Sequence, residues 1–202
     1  MIQLLQTGIL NESLIQIEWG DYTESVAEIH HHLEKTNSEM TGWKNSPIEN
    51  SIEMVNAIQQ TAYKIKMLAD VLVVIGVGGS FLGAKAIQDA LTPYFGDCVN
   101  GIEVVYVGQN MSGAYIRQLL NSLEHKEVFV NVISKSGTTM EPALAFRVLR
   151  HYMEKKYGIE AQNRIIVTTD AEKGLLKKIA ENSGYQQFVI PENIGGRYSV
   201  FT

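Results

Sequence analysis

The sequence predicts an α/β fold: a three-layer α/β/α sandwich around a five-stranded parallel sheet, flavodoxin-like or Rossmann-like, preceded by an N-terminal helical segment. Three observations predict it. Short runs such as Val71–Ile75 (VLVVI) and Val128–Ile133 (VFVNVI) are almost continuously apolar, as strands buried on both faces are. Longer stretches between such runs carry helical spacing. Glycine, serine and asparagine gather where a strand gives way to a helix.

In chain order, residues 1–47 are polar and irregular, with a candidate helix at Tyr22–Lys35 carrying His30, His31 and His32. Adjacent residues fan around a helix and share no face, so a solvated surface is expected there and no metal site. Gly42, Asn45, Ser46 and Pro47 mark a loop, and the domain boundary is expected after Pro47. Ile48–Leu68 reads as a helix, because Ile48, Ile52, Val55, Ile58, Ala62, Ile65 and Leu68 recur at steps of three and four. The expected strands are Val71–Ile75, Glu103–Val107, Val128–Ile133, Arg164–Thr168 and Gln187–Ile190. The helices between them run over about Leu82–Leu91, Ser112–Leu120, Pro142–Tyr157 and Glu172–Asn182. Residues 48–202 thus form the α/β domain.

Composition narrows the function. The net charge of -5, with no Lys/Arg-rich run, gives no support to nucleic-acid binding. Any anion site must come from local geometry, because the overall field repels anions. The lone cysteine, Cys98, allows no intrachain disulfide and no Cys-based metal site. The longest strongly apolar stretch, Val71–Val77, is too short to span a bilayer, and Met1–Asn11 lacks the pattern of a secretory leader. A cytoplasmic protein is expected, with no membrane partner.

Ligands of open parallel sheets sit outside the carboxyl ends of the strands, so the loops there carry the functional reading. The first strand runs into Gly76-Val77-Gly78-Gly79-Ser80-Phe81-Leu82-Gly83. Glycines permit a sharp turn and close approach, and the helix that follows offers free N–H groups. A dinucleotide fingerprint would need glycine at Phe81 and an acid after the second strand, where Gly108-Gln109-Asn110 stands. A phosphate loop of nucleotide-hydrolase type would need lysine directly after Gly83, where Ala84 stands. A tight strand–helix connection without ligand also accounts for this loop.

The third strand runs into Ser134-Lys135-Ser136-Gly137-Thr138-Thr139-Met140-Glu141-Pro142. Four hydroxyls and an ammonium crowd into Ser134–Thr139. Pro142 suits the first helical position, and Thr138 with Glu141 fits a capping box. A cap needs one hydroxyl, so the others exceed that need, and a phosphate dianion would use them all. The alternative is a hydroxyl-rich cap beside a solvated lysine. After the fifth strand comes Pro191-Glu192-Asn193-Ile194-Gly195-Gly196-Arg197-Tyr198-Ser199. Two glycines before an arginine can hold a guanidinium close to a reacting carbonyl and stabilise an oxyanion. A surface arginine after a flexible turn is the alternative.

Together, Val74–Gly83, Asn131–Pro142 and Gly195–Ser199 resemble the phosphoglucose isomerase family, in order and spacing, as does the intervening Thr168-Thr169-Asp170. The resemblance covers roughly residues 40 to 202. It implies a sugar isomerase (SIS) domain. It implies that Ser134, Ser136 and Thr139, with the Lys135 backbone, grip a substrate 6-phosphate. Gly79 and Ser80 then line the same pocket, and Gly196 and Arg197 lie beside C1 and C2, where the arginine steadies an enediolate. The family interconverts glucose 6-phosphate and fructose 6-phosphate through a cis-enediol, with no metal or organic cofactor, and is typically a homodimer. Its general-base glutamate, ring-opening histidine and C-terminal lysine follow the arginine motif, and no residue here matches them. The chain is therefore expected to be a truncated N-terminal part, lacking the second SIS domain, and inactive alone. A non-catalytic sugar-phosphate sensor is the competing reading; it need not carry Gly195–Ser199, so Arg197 favours the enzyme.

Overall fold

The computed structural model describes residues 22–36, 40–93 and 101–201. Cys98 lies outside the described residues. The chain divides into two compact units, Met1–Asn37 and Ser38–Thr202, so the division falls before the boundary expected at Pro47. The reason is visible in residues 42–46 of the second unit. The Gly42 N–H donates to the Asn193 carbonyl at 3.0 Å, and the Trp43 ring stacks on Tyr198.

In the first unit, α1 spans Thr23–Lys35 and all its residues are exposed. His30 pairs with Glu34 one turn on, at 3.2 Å.

In the second unit, α2 (Ser46–Glu49) and α3 (Ile52–Leu68) divide the single helix expected over Ile48–Leu68. Ser51 causes the break. Its backbone is extended and its Oγ accepts the Met54 N–H at 3.1 Å, so a fresh helix starts there. Of the apolar stripe that predicted the helix, Ile65 is buried, whereas Ile48, Ile52, Val55, Ile58 and Leu68 are exposed.

The strands are β1 (Val71–Ile75), β2 (Glu103–Val107), β3 (Val128–Ile133), β4 (Ile165–Thr169) and β5 (Gln186–Val189). They form one parallel sheet in the order β2-β1-β3-β4-β5. β4 starts one residue later than expected because a 3-10 turn over Gly158–Arg164 takes up Arg164. The remaining helices are α4 (Gly79–Leu91), α5 (Gly113–Ser122), α6 (Met140–Tyr157) and α7 (Leu175–Ser183).

Strand residues alternate between two cores, which is why the strands are apolar throughout. Val71, Val73, Val128, Val130, Ile165 and Val167 share one core with Leu119 of α5, Leu149 and Met153 of α6, and Leu176 of α7. On the opposite face, Phe129 and Ile166 pack with Ile65 of α3, and Phe81 of α4 leans on Tyr106. Helices thus cover both faces of the sheet, giving three layers. No described helix is long and apolar enough to cross a membrane.

Leu149 is fully buried, while Leu144 on the same helix is exposed. Leu149→Ala is expected to lower unfolding free energy in urea by about 2–5 kcal/mol. Leu144→Ala should change it by less than about 0.5 kcal/mol.

Candidate functional site

The sheet order changes direction at the β1–β3 pair, with β2 on one side and β4 and β5 on the other. The loops leaving such a pair open a crevice. Here the crevice is a cavity of ≈ 640 Å³, and Gly79, Ser80, Ser134, Lys135, Ser136, Thr139, Gly196 and Arg197 all line it. The structure therefore places these eight expected site residues around one cavity.

One wall is the glycine loop. Gly78 has φ of +58°, a conformation other residues rarely adopt, and caps the start of α4. The helix begins earlier than expected, so Gly79 and Ser80 belong to its first turn. Gly79 matters for close approach: a Cβ there would meet the carbonyl oxygens of Gly196 and Arg197 at 2.6 Å.

The opposite wall is the hydroxyl-rich loop. Ser134 is buried, and its Oγ accepts the Gly137 N–H at 3.1 Å. Ser136 Oγ accepts both the N–H and the O–H of Thr138, at 3.2 and 3.0 Å. A hydroxyl that accepts twice keeps only its own hydrogen to give, which suits an anion. Thr138 is thereby committed inside the loop, and the expected capping box with Glu141 does not form. Thr139 takes the cap position of α6 instead, with no cap bond from its side chain. Pro142 is consequently the third helical residue, and Met140 and Glu141 present N–H groups without intrahelical acceptors. Thr169, fully buried, braces the loop from behind by donating to the Ser134 carbonyl at 2.7 Å.

The third wall is Pro191–Ser199. Ser199 Oγ donates to the Gly196 carbonyl at 2.7 Å and the Tyr198 N–H donates to Gly195 at 2.8 Å. These bonds fold Gly196–Phe201 into a 3-10 turn. Arg197 is exposed and forms no ion pair among the described residues.

Sequence reasoning missed the loop after β4, which supplies Asp170, Lys173 and Gly174 to the cavity. The Asp170 carboxylate accepts the N–H groups of Glu172 and Lys173 at 3.0 Å each. These bonds hold its pKa below the ordinary value and delay α7 to Leu175. Gly174, at φ of +104°, sits where a Cβ would meet the Ser136 carbonyl at 2.7 Å. Lys173 pairs with Glu192 at 2.7 Å, which raises the lysine pKa. The signal was available: this loop, too, leaves the carboxyl end of a strand.

The domain belongs to the class of open parallel α/β sheet proteins with a crevice at the switch point, here lined by hydroxyls, helix N-termini and an arginine. Similarity to known proteins narrows that class. A model of phosphoglucose isomerase matches residues 30–202, and the chain belongs to the phosphoglucose isomerase family. A glucose-6-phosphate isomerase of Shouchella clausii is 48% identical over 188 residues, covering 89% of this chain and 42% of that protein. One of Fusobacterium nucleatum is 45% identical over 184 residues, covering 89% and 41%. The chain thus spans about two fifths of the length of these curated relatives. Among solved structures, a hypothetical protein from Thermus thermophilus superposes with a TM-score of 0.74 at 26% identity, covering 91% of this chain and 42% of that one. A glucose-6-phosphate isomerase from Chlamydia trachomatis gives 0.60 at 28% identity, covering 73% and 27%.

Because a Cβ on residue 79 would collide with backbone, Gly79→Ala should destabilise the fold by about 1–3 kcal/mol in urea unfolding. Gly113, where an added Cβ would have no atom within 4 Å, is the control. Gly113→Ala should be neutral or slightly stabilising.

Proposed function

We propose that this chain forms the substrate-phosphate grip of a glucose-6-phosphate isomerase, the enzyme that interconverts glucose 6-phosphate and fructose 6-phosphate through a cis-enediol. Residues from Ser38 onward act as its sugar-phosphate-binding SIS domain. One observation carries the reading: the hydroxyl-rich loop at the N-terminus of α6 and Arg197 line one cavity, of a size suited to a small ligand.

The roles follow from chemistry. A phosphate dianion accepts from the hydroxyls of Ser134, Ser136 and Thr139, from Ser80, and from amides at the start of α6. Gly79, where a Cβ would meet the Gly196 and Arg197 carbonyls, lets those walls come close enough for both ends of a hexose phosphate to be held at once. Arg197 steadies the oxyanion that develops as a proton leaves the sugar. No step calls for a metal or organic cofactor. Asp170 is the one carboxylate among the residues lining the cavity, and its two backbone bonds make it a weak base. The 202-residue chain alone is therefore expected to bind substrate without turning it over. The reading also carries a homodimeric whole enzyme, from the family resemblance, and a cytoplasmic location, from the lone cysteine.

Calorimetry tests this. Glucose 6-phosphate should bind and glucose should not. A Ser136→Ala, Thr139→Val double variant should bind at least about tenfold more weakly, since a hydrogen bond to a charged group contributes about 1.5–3 kcal/mol. Equal affinity in the double variant contradicts the reading. The pH profile gives a second check. A phosphate monoester loses its second negative charge below about pH 6, so affinity should fall as pH drops through that value. Asp170, with its lowered pKa, stays ionised across that window, so the loss belongs to the ligand.

A further inference from the structure

The ammonium of Lys135 does not extend into solvent. It donates to the Glu192 carbonyl at 2.6 Å and to the Ile194 carbonyl at 2.7 Å. The carbonyl between them, that of Asn193, takes the Gly42 N–H at 3.0 Å. Three successive carbonyls just before Gly195-Gly196-Arg197 are therefore held, two of them by a side chain rooted in the middle of the hydroxyl loop. Among the described residues no carboxylate lies within ion-pair distance of this ammonium. Its bonds go to neutral acceptors, it keeps one further N–H, and its field reaches the Asp170 carboxylate, whose pKa it helps to lower.

We infer that Lys135 is a positioning residue that couples occupancy of the phosphate cradle to the placement of Arg197; this rests on the reading of the cavity as a hexose 6-phosphate site. A dianion between Ser134 and Thr139 attracts the ammonium. The same ammonium grips the carbonyls of Glu192 and Ile194, so the anion firms the segment that carries the arginine. Interaction with a non-reacting part of the substrate is thereby used to orient a group at the reacting carbons. Lys173 does not serve this purpose, because Glu192 already neutralises it.

The chain holds its own reporter. Trp43 stacks on Tyr198, the neighbour of Arg197, with ring centroids 5.9 Å apart. The sequence has two tryptophans, so Trp19→Phe leaves Trp43 alone. In that background, glucose 6-phosphate is titrated while Trp43 emission reports on the arginine segment and the amide signals of Gly137 and Thr138 report on the cradle. The unaltered lysine should give both responses with one midpoint. Lys135→Met should keep the cradle response, with affinity reduced less than about tenfold, and lose the Trp43 response. Lys135→Gln, with a shorter side chain that keeps hydrogen-bond donors, repeats the test should the methionine variant not fold.

If both responses persist in a folded variant, the coupling is wrong. If both vanish, Lys135 is part of the grip and the coupling is again wrong. A cradle that responds while Trp43 stays silent with lysine in place also overturns it. If the cradle itself does not respond with lysine in place, the hexose-phosphate reading fails and takes this inference with it.

Discussion

The parallel pairing of β1 with β3 is the constraint on which the site depends. Val71 faces Val128 and Ile75 faces Val132 in register, so the two strands end side by side and their loops leave from one edge. β2 extends the sheet on one side and β4 with β5 on the other. The helices that follow then diverge, α4 toward the face carrying Tyr106 and α6 toward the face carrying Val71 and Val73. Two helix N-termini are left facing one crevice, with a glycine loop on one bank and a hydroxyl loop on the other. A one-residue slip of β3 would exchange its faces, burying Asn131 in the large core and displacing Ser134 from the crevice.

That geometry is what the proposed anion site rests on in a chain with a net charge of -5. Long-range attraction does not do it. Of the cations lining the cavity, Lys173 is matched by Glu192 and Lys135 is bonded to carbonyls, which leaves Arg197 as the exposed charge with no ion pair among the described residues. The remaining donors are hydroxyls and amides, whose influence is short-ranged and directional. Donors of this kind select by the shape of the bound group more than by its charge. Close packing enforces the shape. Gly79 lies against the Gly196–Arg197 backbone and Gly174 against that of Ser136, so each wall is supported by another.

Much of this was legible in the chain itself. Strands buried on both faces must be apolar throughout, so VLVVI and VFVNVI announced a parallel sheet. An excess of hydroxyls before a helix pointed to the proposed cradle, because capping alone does not require four. What stayed hidden depends on contacts distant in sequence. The partners of the Lys135 ammonium lie 57 and 59 residues away, and no local pattern encodes them. The break at Ser51 was masked by an apolar stripe that continues across it. The capping box failed because Thr138 had a nearer partner in Ser136, a competition that spacing alone does not resolve. Asp170 was passed over because its family-like setting, Thr168-Thr169-Asp170, carries no chemical excess of its own. Its place in the cavity follows from the end of β4.

The proposed function requires the loop from Ser134 to Thr139 to receive a phosphoryl group at the head of α6. The most direct measurement is a crystal structure of this chain grown with glucose 6-phosphate. Phosphate density is expected within hydrogen-bond distance of the Ser136 and Thr139 hydroxyls, with the sugar extending toward Arg197. A ligand bound elsewhere while this loop stands empty, or a sugar phosphate lying with its phosphate at Arg197, would contradict it.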